Sequence, residues 1–239
     1  MYSFSKKIHS YELCHNGTLK LSYLMRYMQT AACLDIQDKG MSYEFLREHN
    51  IVFVITRLKI QLDETFNNND DIKIESWPKG VKGLTFIRDF VISKNGKAVG
   101  YASTQWVLMN FEKRCPVRAT SLPRALPDQT HPLNRDIEFE HHILPPETAV
   151  FCGTYDRKIM LSDLDENLHI NNTNYADIML DFLPEQYHKN IFKGIQINYR
   201  GEARLGDELR VSVFSDNDTV YYTAENLTKG STCFEGKLF

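Results

Sequence analysis

The 239-residue chain lacks the features that would indicate a metal site, a nucleic-acid partner or a membrane span. Its five cysteines are scattered, and no Cys-x-x-Cys pair or cysteine–histidine cluster suggests zinc ligation. A net charge of −3 gives no bulk electrostatic attraction to nucleic acid. The sequence shows neither a basic and apolar leader nor an apolar run of bilayer length. We therefore expect a reduced, cytoplasmic protein that needs neither metal nor cofactor.

What the chain does contain is an ordinary globular composition with alternating helical and strand-like periods. In the first half, apolar residues at helical spacing predict a long helix that is capped by Thr18 or Ser22 and closed by Gly40. Period-two alternation then predicts antiparallel strands, one of which should stop at Trp77 because Pro78 follows it. The first half is therefore predicted to be one long helix laid against a sheet.

The same order of elements begins again in the second half. Residues 151–161 are strand-like, residues 173–183 have the spacing of a helix, and further strands follow. Between the halves, residues 119–148 are rich in proline and poor in apolar runs, which is typical of a linker. We predict a duplicated α+β protein with repeats at residues 1–118 and 149–239.

The two repeats can be set in register residue by residue. Placing Ile8 against Ile159 sets three further pairs opposite each other: Cys14 with Asp165, Thr18 with His169 and, after a gap for the longer first helix, Thr65 with Glu202. One repeat therefore carries an Asp, His and Glu set that the other lacks. This is the pattern expected of a single working site in a duplicated fold.

A polar stretch at residues 165–175 suggests what that site does. The stretch is typical of an extended segment or a loop that delivers a histidine to the start of a helix. In the extended case the alternate positions of Asp165, Asn167 and His169 put their side chains on one face. The short polar residues after His169 suit a helix N-cap. A helix start offers unpaired N–H groups and the positive end of the helix dipole. A histidine beside such a site for a developing oxyanion suits acyl chemistry.

These motifs resemble the acyl-acyl-carrier-protein (acyl-ACP) thioesterase family, the plant fatty acyl-ACP thioesterases and their bacterial relatives. The family's Asp-x-Asn-x-His-x-Asn-Asn-x-x-Tyr pattern runs from Asp165 to Tyr175, and its Tyr-Arg-x-Glu stretch runs from Tyr199 to Glu202. First-half segments in the matching order are Thr56-Arg57-Leu58, Trp77-Pro78-Lys79-Gly80, Arg88-Asp89-Phe90, Trp106-Val107-Leu108 and Arg114-Cys-Pro-Val-Arg118. The resemblance covers nearly the whole chain. It implies a tandem (double) hot-dog fold, each half a long helix packed on an antiparallel sheet.

The resemblance also implies a function, namely hydrolysis of fatty acyl-ACP to free fatty acid and ACP by a monomer or homodimer. It assigns the chemistry to Asp165, Asn167, His169 and Glu202, and leaves open which of the acids or His169 is the general base. The substrate carbonyl is expected at the helix start, near Asn171, Asn172 and Thr173. Basic candidates for contacting the acidic carrier protein are Lys79, Lys82, Lys189, Lys193, Arg200 and Arg204. Plant members carry a cysteine where this chain has Ala203, so a water nucleophile is favoured over a Cys–His mechanism.

Other interpretations of the same residues remain open at this point. Asp165 and Asn167 are also ordinary turn residues, and Asn171 and Asn172 are also ordinary helix-start residues. An acyl-CoA thioesterase of the same fold and a non-catalytic acyl-binding protein are the alternative functions. A dehydratase of this fold is disfavoured because the chain has no His-Phe-Pro-Gly type segment. The preferred acyl chain is not predicted from the sequence.

Overall fold

An 18-residue helix packed on an antiparallel sheet dominates the first of two units in the computed structural model, which describes residues 1–239. This unit, Met1–Glu138, contains β1 (Tyr2–Lys7), α1 (Leu21–Asp38), α2 (Tyr43–Glu48), β2 (Ile51–Leu62), β3 (Asp71–Lys82), β4 (Thr85–Lys94), β5 (Lys97–Asn110) and β6 (Cys115–Pro116). The strand order is β1-β3-β4-β5-β2, and the short β6 pairs with β5. None of the helices is both long and apolar enough to cross a membrane.

The long helix α1 is held by the apolar face that its sequence predicts. Leu24, Met28 and Ala31 lie on this face and are almost completely buried, and the helix packs against β1 and β3. Each fully buried Leu or Met contributes at most about 1.5–3 kcal/mol to the free energy of folding. The helix ends just before Gly40, whose φ of 70° is left-handed, as the sequence predicted.

Both helix caps predicted for α1 are wrong. The residue before the helix is Lys20, which makes no side-chain cap bond. Thr18 is occupied elsewhere, because its N–H and its hydroxyl both donate to Asn16 Oδ1 at 3.2 and 2.8 Å. Ser22 is a buried residue within the first turn of the helix. These local hydrogen bonds to Asn16 therefore compete with helix capping by Thr18.

Strand β3 also differs from its prediction, because it runs through Pro78 as far as Lys82. Its partner β1 pairs with it only as far as Ser76, so beyond that residue one side of β3 has no neighbouring strand. A register shift between Pro78 and Gly80 follows in its pairing with β4. A proline that lacks an N–H donor is tolerated at such an edge with a bulge.

The second unit, Phe139–Phe239, repeats the plan with a much shorter helix. It contains β7 (Val150–Lys158), α3 (Asn174–Asp181), β8 (Gly194–Tyr199), β9 (Glu208–Asp216), β10 (Thr219–Asn226) and β11 (Ser231–Leu238). The strand order β7-β9-β10-β11-β8 has the same connectivity as the first unit. The helix has eight residues rather than the predicted eleven-residue span 173–183, and it ends before Pro184.

The predicted register between the repeats agrees with their backbone hydrogen bonds. Ile8 N–H donates to Asp70 O at 2.9 Å, and Ile159 N–H donates to Asp207 O at the same distance. In the loops that follow, Cys14 N–H donates to Thr18 O at 2.7 Å and Asp165 N–H donates to His169 O at 2.8 Å. The two repeats therefore share loop geometry as well as strand order.

Residues 122–149 form no helix or strand, and both units bind part of this segment. In the second unit, two buried amides of β8 donate to the carbonyl oxygen of Glu140, from Gln196 at 2.8 Å and from Asn198 at 3.1 Å. The carboxylate of Glu235 on β11 accepts from the N–H of Ile143 at 3.0 Å. These bonds attach the segment before β7 to the sheet. The units divide at Glu138, within the predicted linker 119–148, and the repeat boundaries stay predictions.

Candidate active site

The loop at residues 165–169 is a closed turn that delivers His169 to the site. Asp165 N–H donates to His169 O at 2.8 Å, and Leu168 N–H donates to Asp165 O at 3.0 Å. The Asp165 side chain adds an Asx turn, since its Oδ1 accepts from Asn167 N–H at 2.8 Å. Of the two conformations that the sequence leaves open for this stretch, an extended segment and a loop, the structure forms the loop. Local bonds and the left-handed backbone of Leu168, with φ of 61°, fold these residues into a turn.

The segment after β8 brings Glu202 to His169. His169 and Arg204 are antiparallel bridge partners, and Ile170 N–H donates to Ala203 O at 2.9 Å. Residues two apart in an extended segment point the same way, so Glu202 and Arg204 lie on the side of His169. The His169 Nε2 to Glu202 Oε2 distance is 3.2 Å, and Arg204 Nη2 is 3.8 Å from the same oxygen.

The backbone around Glu202 is fixed by a charged cluster that the sequence analysis missed. Lys229 Nζ donates to the carbonyl oxygen of Glu202 at 2.7 Å and lies 3.2 Å from Asp207 Oδ2. Asp207 Oδ2 also accepts from Arg204 N–H at 3.0 Å and from Asn226 Nδ2 at 2.8 Å. Burial alone would raise the pKa of Asp207, but these hydrogen bonds outweigh burial and hold the pKa below its usual range.

The repeat register contained a signal for this cluster. In the first unit the corresponding Asp70 pairs with Lys94 at 2.9 Å and accepts from Asn95 Nδ2 at 3.2 Å. The Lys94 Nζ donates to the carbonyl oxygen of Thr65 at 2.8 Å, and Thr65 is the residue that the register sets opposite Glu202. A comparison of the residues that follow Thr65 with those that follow Glu202 would have identified Asp207 and Lys229.

The His169–Glu202 pair is partly open to solvent, with side chains 21% and 36% exposed. Water and a substrate carbonyl can therefore reach it, while the surrounding protein lowers the effective dielectric constant. A carboxylate in hydrogen-bond reach of an imidazole fixes its tautomer and orientation and stabilises the imidazolium. The arrangement can move a proton to and from a reacting water molecule.

The start of α3 differs from a simple open helix end. Thr173 is the N-cap, is buried and makes no side-chain cap bond. Asn171 instead accepts from Thr173 N–H with its Oδ1 at 3.0 Å, and from Asn174 N–H with its backbone oxygen at 2.9 Å. The carbonyl oxygen of Asn172 accepts from the Tyr199 hydroxyl at 3.1 Å. Asn171 thus builds the turn, and the N–H groups of Thr173 and Asn174 are already bonded within the chain.

The cysteine near the site is not suited to be a nucleophile. Cys233 is almost completely buried, and its Sγ lies 3.4 Å from the Tyr175 hydroxyl and 3.5 Å from Gly201 O. Burial raises the pKa of the Cys233 thiol, which disfavours the thiolate. The position after Glu202 is the buried Ala203. The water nucleophile stays a prediction.

Comparison with known proteins identifies the family. Residues 1–122 match the acyl-ACP thioesterase N-terminal domain, and residues 154–233 match the acyl-ACP thioesterase C-terminal domain. The chain belongs to the acyl-ACP thioesterase family. Its members are thioester hydrolases, as the resemblance of the sequence motifs implied.

Individual relatives agree with this assignment. The chain is 24% identical to oleoyl-acyl carrier protein thioesterase 2 of Arabidopsis thaliana, over 97% of this chain and 68% of the relative. It is also 24% identical to oleoyl-acyl carrier protein thioesterase 1 of the same plant, over 84% of this chain and 60% of the relative. The fold is similar to the crystal structure of an acyl-ACP thioesterase from Bacteroides thetaiotaomicron, with a TM-score of 0.83, 22% identity and coverage of 99% and 96% of the two chains. The fold class is therefore the predicted α+β double hot-dog.

Three of the six basic residues expected to contact the carrier protein in this acyl-ACP thioesterase are paired within their own unit, one of them being Arg204, which lies 3.8 Å from Glu202. Lys79 lies 2.8 Å from Asp89 and 2.7 Å from Asp136. Arg200 lies 2.9 Å from Glu235, and its guanidinium also donates to the carbonyl oxygen of His141. The remaining three candidates are exposed; these are Lys82, Lys189 and Lys193. A carrier-binding role of all six stays a prediction.

Proposed function

We propose that this acyl-ACP thioesterase hydrolyses the thioester of fatty acyl-ACP, releasing free fatty acid and ACP, at the His169–Glu202 pair. The observation that carries the proposal is the 3.2 Å distance between His169 Nε2 and Glu202 Oε2 in a partly open site. The chain length of the fatty acid is left to experiment. The five cysteines are free thiols, which agrees with a working location in the reducing cytoplasm.

In the proposed mechanism His169 is the general base and Glu202 orients it. Glu202 accepts from Nε2–H, so Nδ1 of the neutral imidazole accepts the proton of the attacking water. The water oxygen bonds to the thioester carbon and the carbonyl oxygen becomes an oxyanion. When the tetrahedral intermediate collapses, the C–S bond breaks, and the imidazolium returns its proton to the leaving thiolate. Glu202 stabilises the imidazolium between these two steps.

Asp165 and Asn167 have a positioning role in this proposal. The Asp165 carboxylate and backbone hold both ends of the turn that precedes His169. Asn167 is exposed and supplies its N–H to that turn. The favoured donor to the oxyanion at the helix start is the backbone N–H of Asn172. The backbone N–H groups of Thr173 and Asn174 already donate to Asn171.

A panel of acyl-ACP and matching acyl-CoA thioesters, from short to long chains, tests the proposal. We expect turnover with a preference for acyl-ACP, and a drop in kcat of at least about 10³-fold in His169→Ala, because that variant has no base at this position. Turnover of acyl-CoA alone would favour the acyl-CoA thioesterase. Binding of acyl-ACP without any hydrolysis would favour an acyl-binding protein instead.

A further inference from the structure

The arginine at position 204 is particular to the repeat that carries the His–Glu pair. In the repeat register Arg204 corresponds to Asn67. The N–H of Arg204 donates to Asp207 Oδ2 at 3.0 Å. In the same way, the N–H of Asn67 donates to Asp70 Oδ2 at 2.7 Å. The backbone at this position is therefore held alike in both repeats, whichever side chain it carries.

The two side chains make different contacts. Asn67 Nδ2 donates to the carbonyl oxygen of Gly17 at 3.0 Å, so in the first repeat this side chain joins two loops. In the second repeat Arg204 Nη2 lies 3.8 Å from Glu202 Oε2, the oxygen that also faces His169 Nε2 at 3.2 Å. A cation thus takes the place of an amide in the repeat that carries the pair, and it faces the carboxylate of that pair.

The backbone fixes the position of this cation relative to His169. His169 and Arg204 are antiparallel bridge partners, so their Cα atoms lie directly opposite each other. Glu202 lies two residues before Arg204 in the same segment, so both side chains point to the side of His169. The arginine side chain therefore starts from a fixed point of the chain beside the pair.

The Glu202 carboxylate benefits from such an anchor because its side chain is 36% exposed. A glutamate with this exposure can adopt several rotamers, and in most of them the imidazole of His169 loses the acceptor that orients it. A cation nearby attracts the carboxylate and favours the rotamer that meets both groups. The 3.8 Å contact is longer than a hydrogen bond, so the attraction depends on the charge of the guanidinium rather than on directed donation.

We propose that Arg204 is a positioning residue, whose guanidinium holds the Glu202 carboxylate in the orientation that meets His169 Nε2. This inference rests on the proposed function. It gives Arg204 a role in hydrolysis in place of the contact with the carrier protein that the sequence predicts. The Arg204 side chain is 53% exposed, and ion pairs of this exposure are weak, so the effect on kcat is modest.

Two substitutions separate the charge of Arg204 from its packing. Arg204→Gln removes the charge, and Arg204→Lys keeps it. Arg210→Gln is the matched control, because Arg210 is 47% exposed and pairs with Asp156 at 2.8 Å on strands β9 and β7. Each variant is assayed for kcat and KM on a preferred acyl-ACP, and Arg204→Gln is also combined with Glu202→Gln.

We expect Arg204→Gln to lose about fivefold in kcat, the upper range for a partly exposed ion pair, with KM within about twofold of wild type. Arg204→Lys and Arg210→Gln should both keep kcat within about twofold. In the Glu202→Gln background, Arg204→Gln should change kcat by less than about twofold, because the charge that Arg204 holds has already been removed. A structural role of Arg204 that does not involve Glu202 would not show this dependence.

Four results would overturn the proposal while leaving hydrolysis at His169 intact. An unchanged kcat in Arg204→Gln would show that Glu202 is positioned without the guanidinium. A raised KM with unchanged kcat would assign Arg204 to carrier binding. Equal losses in Arg204→Gln and Arg204→Lys would show that packing matters and charge does not. A fivefold loss that persists in the Glu202→Gln background would show that Arg204 acts independently of Glu202.

The wild-type enzyme separates these outcomes from a failure of the proposed function. A wild type that hydrolyses acyl-ACP makes each comparison above a test of Arg204 alone. A wild type that hydrolyses no acyl-ACP would instead refute the proposed function.

Discussion

Substituting Glu202 by glutamine tests the central pair directly, because it removes a charge and keeps the size of the side chain. A full negative charge 3.2 Å from an imidazolium stabilises it by about 5 kcal/mol at an effective dielectric constant of about 20, and by about 1 kcal/mol in bulk water. The side chains are 21% and 36% exposed, so the actual value lies between these limits. We expect a loss of about 3–4 kcal/mol of transition-state stabilisation, or roughly 10²–10³-fold in kcat.

The assay is steady-state hydrolysis of a preferred acyl-ACP across pH 5 to 9 with Glu202→Gln and its control. Glu166→Gln is a matched control, because Glu166 is an exposed carboxylate in the same loop and the same neutralisation should change kcat by less than about twofold. If His169 is the base, Glu202→Gln should retain more activity than His169→Ala. A loss in Glu202→Gln as large as that in His169→Ala would favour Glu202 as the base. A kcat within threefold of wild type would refute the role of the pair.

Two further predictions concern the supports of the site. Asp165→Asn should keep kcat within about threefold of wild type, because asparagine also forms an Asx turn. Asp165→Ala should lose at least about tenfold in kcat. Equal losses in the two variants would show that the carboxylate charge itself is needed. Burial would raise the pKa of Glu235, but Arg200 and the N–H of Ile143 outweigh burial and lower the pKa from its ordinary value of 4.5. The stability from this ionisation is present above pH 4.5 and lost as pH falls through the lowered pKa. Glu235→Gln should thus cost about 3 kcal/mol at pH 7 in urea unfolding, and the difference should shrink below pH 4.5; a constant difference would contradict the assignment.

The elements that could be predicted from sequence were those with a strong periodic pattern. The apolar face of α1 and its end at Gly40 follow from helical spacing and from glycine's access to positive φ. The start of the helix was missed because Thr18 bonds to Asn16, two residues back, instead of capping. The continuation of β3 beyond Pro78 was missed because it depends on where β1 stops, which is a tertiary fact.

The sequence analysis named His169 and Glu202 as site residues but did not predict how the chain places them, and their catalytic roles stay predictions. His169 and Glu202 are in hydrogen-bond reach of each other although 32 residues separate them in sequence. The repeat register and the family resemblance related these two residues, but neither gives the distance between them. The alternation of Asp165, Asn167 and His169 suggested an extended segment, but an Asx turn competes with that conformation. Alternation among polar residues is weak support for a strand, because no buried apolar face holds the segment in the extended conformation.

The duplication explains how the side chains of the site can change while the backbone hydrogen bonds around them stay. In each repeat a lysine donates to a backbone carbonyl, from Lys94 to Thr65 at 2.8 Å and from Lys229 to Glu202 at 2.7 Å. The lysine therefore holds position 202 through its backbone, whatever side chain is present. The loop before His169 is likewise closed by backbone bonds that the first repeat makes with Thr18 in the place of the histidine. Substitutions at His169 and Glu202 should accordingly change the chemistry while the bonds that place these residues remain.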